Sequence, residues 1–182
     1  VGGLARRATA ISQYVKENPN TVIVDSGNIS DSPAKLDLIL SLMSDFKYDA
    51  VGLGQSDIAM GTALYEKAEK NKLAVLDISS DAHKSTVPYI VKNVDGVRVG
   101  VISFGAVATD AKISEFDLRK SRLESYKQVR SKCDVLVVLD QADIVTDDWI
   151  QRNAARFGAP DIVIPGQSRN TGKEVVVGST HI

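Results

Sequence analysis

Short β-branched runs alternate with amphipathic stretches along this chain, and a single hairpin signal interrupts the alternation. Thr21 to Val24, Asp49 to Leu53, Leu73 to Ile78, Val135 to Leu139 and Asp161 to Ile164 read as buried strands. Leu4 to Lys16 carries apolar residues at Leu4, Ala8, Ile11 and Val15, a helical spacing that Asn18-Pro19-Asn20 ends. Ser32-Pro33 opens a second helix, with Ser32 as N-cap, Pro33 at the first helical position, and Leu36, Ile39, Leu40 and Met43 inward. Further helices are expected over Gly61 to Asn71, with Leu64 and Ala68 inward, over Asp117 to Lys132, and over Asp147 to Phe157, which holds Trp149. Val87 to Val94 and Val97 to Phe104 flank Asp95-Gly96, a two-residue hairpin signal. The sheet is therefore mixed rather than purely parallel. Gly172 to Gly178 reads as a last short strand.

This pattern predicts an α/β fold with mixed sheets and helices outside. A chain of 182 residues is expected to form one domain over residues 1–182 and hides roughly 70% of its unfolded surface. In such folds functional loops follow the carboxyl ends of strands. Here those loops are Asp25 to Asn28, Gly54 to Asp57, Leu139 to Asp143 and Gly166 to Arg169.

Composition narrows the function classes. A chain 43% hydrophobic and 25% charged is ordinary for a globular protein. A net charge of −1 argues against a nucleic acid polymer as partner, because that binding needs a basic face. Arg6 and Arg7 form only a local pair on a solvated helix face. No apolar run approaches the ~20 residues that cross a bilayer. The one cysteine, Cys133, excludes an internal disulfide and reads as a packed thiol at a strand entrance. The start at Val1 has neither a basic head with an apolar stretch nor an initiator Met, so a processed or incomplete chain is expected.

The ordered set of loops resembles the metallophosphoesterases, specifically the N-terminal domain of the 5'-nucleotidase branch. Gly2 to Ala8 is similar to that branch's G-G-L/F-A-R-R-A, and Val22 to Asn28 to its strand and D-A/S-G-D loop. Tyr48 to Gly54 resembles the approach to its G-N-H-E loop, and Pro88 to Gly105 its hairpin. Asp134 to Gln141 resembles its strand ending in L-S/T-H, and Asp161 to Arg169 its final G-H-x-H. The resemblance implies an αββα sandwich: mixed β-sheets flanked by helices.

The family's chemistry is hydrolysis of phosphate esters by two divalent ions held by carboxylates and imidazoles. The resemblance implies that this chain lacks those ligands. Asn28 stands at the bridging aspartate, Gln55 at the asparagine ligand and Ser56 at the transition-state histidine. Gln141 stands at a histidine ligand, and Gln167 and Arg169 at the two histidines of the last motif. The family's first motif, D-x-H, would lie before Val1. An amide oxygen is a weak neutral ligand, and a guanidinium does not coordinate and would oppose metal entry. No metal or other cofactor is therefore expected.

Asp25, Asp57, Asp140 and Asp143 remain near the loops and have a hard-cation reading beside a structural one. By family counterpart, Asp25 braces its loop and Asp57 supports the G-N-H-E position. The two histidines, His83 and His181, match no family ligand, and His83 is expected in a solvated loop.

Three functions follow from the resemblance. The first is a degenerate domain serving as scaffold or interaction module, partnered by another protein or by other domains of its parent. The second binds a small anion in the former metal cleft, lined by Asn28, Gln55, Ser56, Asp57, Gln141, Gln167 and Arg169. The third is a phosphoesterase with unusual ligands. The resemblance further implies a periplasmic or extracellular location.

Overall fold

The computed structural model describes residues 3–79, 83–106, 114–166, 176–177 and 180–181. Among these, the chain runs α1 (Leu4–Glu17), β1 (Val24–Asp25), α2 (Pro33–Asp45), β2 (Ala50–Val51), α3 (Gln55–Ala59) and α4 (Thr62–Lys70). It continues through β3 (Tyr89–Val94), β4 (Val97–Phe104), α5 (Glu115–Arg130), β5 (Val135–Asp140), α6 (Asp147–Phe157), β6 (Ile162–Pro165), β7 (Val176–Val177) and β8 (Thr180–His181).

Two sheets form. One pairs β1 with β2 in parallel and is extended by parallel bridges Val51–Val75 and Leu76–Val87. The other has the order β3-β4-β5-β6-β8-β7. Its β3–β4 pair is an antiparallel hairpin, while β4–β5 and β5–β6 are parallel. The hairpin turn is the expected Asp95-Gly96, with φ of 51° and 88°. Positive φ at both positions matches the right-handed twist of the flanking strands.

Side-chain alternation converts these sheets into four layers. Val101, Val137 and Leu139 point from the second sheet toward Ala50 and Leu76 of the first. Their neighbours Ile102, Phe104, Leu136 and Val138 point the other way, onto Tyr126 and Val129 of α5 and Ile150 of α6. On the far side of the first sheet, Leu36, Ile39, Leu40 and Met43 of α2 pack with Leu64 and Ala68 of α4 against Val51, Leu53 and Val75. The order is helix, sheet, sheet, helix, as the resemblance implies.

Close approach sets two positions. A Cβ on Gly52 would meet the Ser26 carbonyl oxygen at 2.6 Å and the Ser103 Oγ at 2.7 Å, so this glycine lets the sheets converge where the strands end. A Cβ on Gly100 would meet the Cys133 Sγ at 2.8 Å. Cys133 is 6% exposed, and burial raises its thiol pKa.

Several local expectations need correction. Gly54 to Asp57 is not an open loop, because residues 55–57 form the first turn of α3. Ser32 sits at the N-cap of α2, but its side chain makes no capping bond; Ser30 Oγ instead bonds the Ser32 carbonyl at 2.9 Å. The apolar stripe of α1 is only partly covered, with no residue of that helix buried. The strand expected over 73–78 reduces to single bridges at Val75 and Leu76. Most of the strand expected over 172–178 lies outside the described residues. No helix among the described residues is long and apolar enough to cross a membrane.

The entrances of β4 and β5 are joined by Arg98 and Asp134. The guanidinium donates to both carboxylate oxygens at 3.1 and 2.6 Å, and the Arg98 backbone N–H donates at 2.9 Å. Arg98's side-chain hydrogen bonds, then its backbone bond, hold the Asp134 carboxyl down at about 2. A depressed folded value stabilises above the unfolded value and is lost as pH falls through the folded one. The window thus runs from about pH 4, the unfolded value, downward to about 2. Thermal melts of wild type and Asp134→Asn should show wild type more stable near neutral pH, with the gap narrowing steadily below about pH 4. A gap of unchanged size across that window would contradict this.

Candidate functional site

The site forms where the ends of β1, β2, β5 and β6 converge. Asp57, 0% exposed, is its anchor. Its Oδ2 accepts the backbone N–H groups of Asn28 at 2.5 Å and Gly54 at 2.8 Å, and its Oδ1 accepts that of Ile29 at 2.9 Å. The segment after β1 is thereby tied to the start of α3. Burial raises the Asp57 pKa against the pull of these three donors. The turn passes through Gly27 at φ 120° and Asn28 at φ 57°. Glycine and asparagine tolerate this left-handed region better than other residues.

That conformation directs the Asn28 amide at two other predicted residues. Its Oδ1 accepts from the Ser56 backbone N–H at 3.0 Å and the Ser56 hydroxyl at 2.9 Å. Its Nδ2 donates to Gln141 Oε1 at 3.3 Å. Gln141, 5% exposed, donates in turn from Nε2 to Ser26 Oγ at 3.5 Å. Two glycines make room: a Cβ on Gly54 would overlap the Asn28 amide, and one on Gly166 would overlap that of Gln141. The cluster is thus a chain of neutral amides and hydroxyls.

Asn28, Ser56, Asp57 and Gln141 come together as the sequence predicts. Gln55 does not join them, being exposed at the first position of α3. Gln167 and Arg169 lie outside the described residues. Ser26, which sequence reasoning passed over, supplies the far end of the chain, and its place in the Asp25 to Asn28 loop was the available signal.

The remaining acids face elsewhere. Asp25 accepts from the Gly27 N–H at 3.1 Å and pairs with Arg7 at 3.4 Å, bracing its own loop. Asp140 accepts the Ile144 and Val145 N–H groups at 3.1 and 2.7 Å, and burial raises its pKa. Asp143 is exposed. His83 is not a solvated loop residue. It is half-buried, stacks on Tyr65 with ring centroids 4.8 Å apart, and bonds Ser85 Oγ at 2.7 Å. His181 is an exposed residue of β8.

A pair of divalent ions needs anionic or imidazole donors converging on one point. Among the described residues, no three His, Cys, Asp or Glu side chains do so. The nearby carboxylates are engaged by backbone N–H groups, and the convergent side chains are weak neutral donors already bonded to one another. The described residues do not fit a two-metal centre.

No family model matches the chain. It is 28% identical to a snake venom 5'-nucleotidase of Naja atra over 57% of its own length and 22% of the relative's. It is 23% identical to a trifunctional nucleotide phosphoesterase of Bacillus subtilis (strain 168), over 96% of its own length and 14% of the relative's. It therefore spans less than a quarter of either relative.

Among solved structures, it superimposes on a sulfate thiohydrolase of Thermus thermophilus with TM-score 0.76 at 13% identity, covering 100% of this chain and 37% of that one. A 5'-nucleotidase precursor of the same species gives 0.69 at 19% identity, covering 91% and 36%. A calcineurin-like phosphoesterase of Bacillus subtilis gives 0.63 at 21% identity, covering 90% and 63%. The similar proteins, in sequence and in structure, include 5'-nucleotidases and calcineurin-like phosphoesterases, and this chain has their metallophosphoesterase fold.

Proposed function

We propose that this chain is a catalytically degenerate metallophosphoesterase-like domain that serves as a scaffold or protein-interaction module within a larger protein or assembly. The observation that carries the reading is the closed hydrogen-bond chain from Ser56 through Asn28 and Gln141 to Ser26. By the family resemblance, Asn28 and Gln141 occupy ligand positions. A metal entering there would have to break those bonds and would gain only neutral amide oxygens in return. A fold keeps its architecture when its site chemistry is replaced. The four-layer core does not depend on the cluster, because its packing is apolar.

The relatives favour a second reading, a metal-dependent phosphoesterase with unusual ligands. The activities in their names belong to proteins of which this chain spans 22% and 14%. A small-anion role for the former metal cleft would rest on Arg169, outside the described residues. By extension from a venom protein and a precursor among the similar proteins, we place the parent protein in the periplasm or outside the cell. Fractionation of cells expressing the full-length gene product tests this, and recovery in the cytosol alone would refute it.

One assay separates the degenerate reading from the hydrolase reading. The protein, incubated with manganese or zinc, should hydrolyse neither a nucleoside monophosphate nor bis-p-nitrophenyl phosphate above the metal-only background. Asn28→Asp should be equally inactive, because residues acting as a unit in a two-metal site are strongly non-additive. Metal-dependent, saturable turnover by the unmodified protein would establish the hydrolase reading instead.

A further inference from the structure

A second cleft, sharing no residue with the Asn28–Gln141 cluster, opens between the first turns of α5 and α6. Its volume is about 530 Å³, within the range of small-molecule sites. The end of β4 forms its floor, and Leu123, Ile144 and Trp149 form an apolar wall. Three guanidinium groups and two carboxylates also line it. Two of the three arginines are already paired: Arg119 with Glu115 at 2.7 Å and Arg152 with Asp148 at 2.7 Å.

The third, Arg122, has no carboxylate in contact among the described residues. Its Nη2 donates to the Gly105 carbonyl at 3.1 Å, and its buried Nε has no hydrogen-bond partner among the described residues. Burial lowers its pKa, while the fields of Asp140 and Asp77 oppose the change. Asp140 is held by two backbone N–H groups and makes no contact with Arg122 among the described residues. A guanidinium stays charged at every physiological pH, and a desolvated cation with an unused donor is costly unless an anion meets it. The cleft therefore carries one uncompensated positive charge beside a flat apolar wall.

We propose that this cleft binds a small organic oxyanion, a carboxylate or phosphate monoester bearing a flat apolar group, with the anion on Arg122 and the apolar part on Leu123, Ile144 and Trp149. A charge-assisted, two-pronged contact suits either oxyanion, and an aromatic lining residue, Trp149, suits a planar group. The site does not depend on the catalytic reading above.

Trp149 is the only tryptophan of the chain, so its emission reports this cleft alone. Titration with benzoate and with phenyl phosphate should each change that emission saturably, with a dissociation constant on the order of millimolar for fragments of this size. Saturation by one alone identifies the oxyanion and supports the site. Benzyl alcohol, which lacks the charge, should not saturate. Arg122→Gln should weaken the response by about tenfold or more. Leu123→Glu, which places a carboxylate in the cleft and leaves the Arg122 bond to Gly105 alone, should do the same, and it carries the test if Arg122→Gln does not fold. Failure of both anions to saturate, equal binding of benzyl alcohol, or unchanged binding in Leu123→Glu would overturn the proposal.

Discussion

Three backbone N–H groups converge on one buried carboxylate, Asp57, and the geometry of the candidate site follows from that convergence. Such donors have no other means of satisfaction away from water, so the carboxylate fixes where two loops may run. It holds the residue after Gly27 in the left-handed region, and that conformation turns the Asn28 amide toward Ser56 and Gln141. The anchor is local, but it acts between segments 29 residues apart in sequence. It works alongside Gly52, which lets the two sheets close on each other at the ends of their strands.

The described side chains of this cluster differ in kind from the ligands of a metal centre. A two-metal site gathers negative charge and leaves it to be neutralised by cations. Here the Asp57 carboxylate accepts three backbone N–H groups, and the side chains between the loops are neutral and mutually bonded. Neutral hydrogen-bonded networks of this kind rigidify the segments they join when all members are satisfied. That property suits the structural module proposed above. The cleft at Arg122 is where an unpaired charge and an open volume coincide.

Much of this architecture was legible in the sequence, for physical reasons that differ by element. Helix α2 was plain because Leu36, Ile39, Leu40 and Met43 follow a helical period, and all four are buried. The hairpin was plain because Asp95-Gly96 is one of the few pairs that accept two positive φ values. Helix α3 was missed, since five residues are too few to show a period. Gln55 was placed in the cleft by its position in a motif, but a one-residue offset on a helix turns a side chain to another face. The Arg122 cleft was invisible: Arg119 and Arg152 belong to i,i+4 pairs that look like any solvated helix face. Nothing in the spacing tells which arginine the fold leaves without a carboxylate among the described residues. Ser26 likewise gains its role only through a contact 115 residues distant.

The central claim is that Asn28 and Gln141 are spent on each other and do not hold metal. Side-chain amide resonances of these two residues, followed by nuclear magnetic resonance during a manganese titration, test it most directly. Manganese is paramagnetic and erases the signals of groups it coordinates or lies near. The account predicts that both amide signals persist, at unchanged width, past stoichiometric manganese. Selective loss of both signals at substoichiometric metal would contradict it.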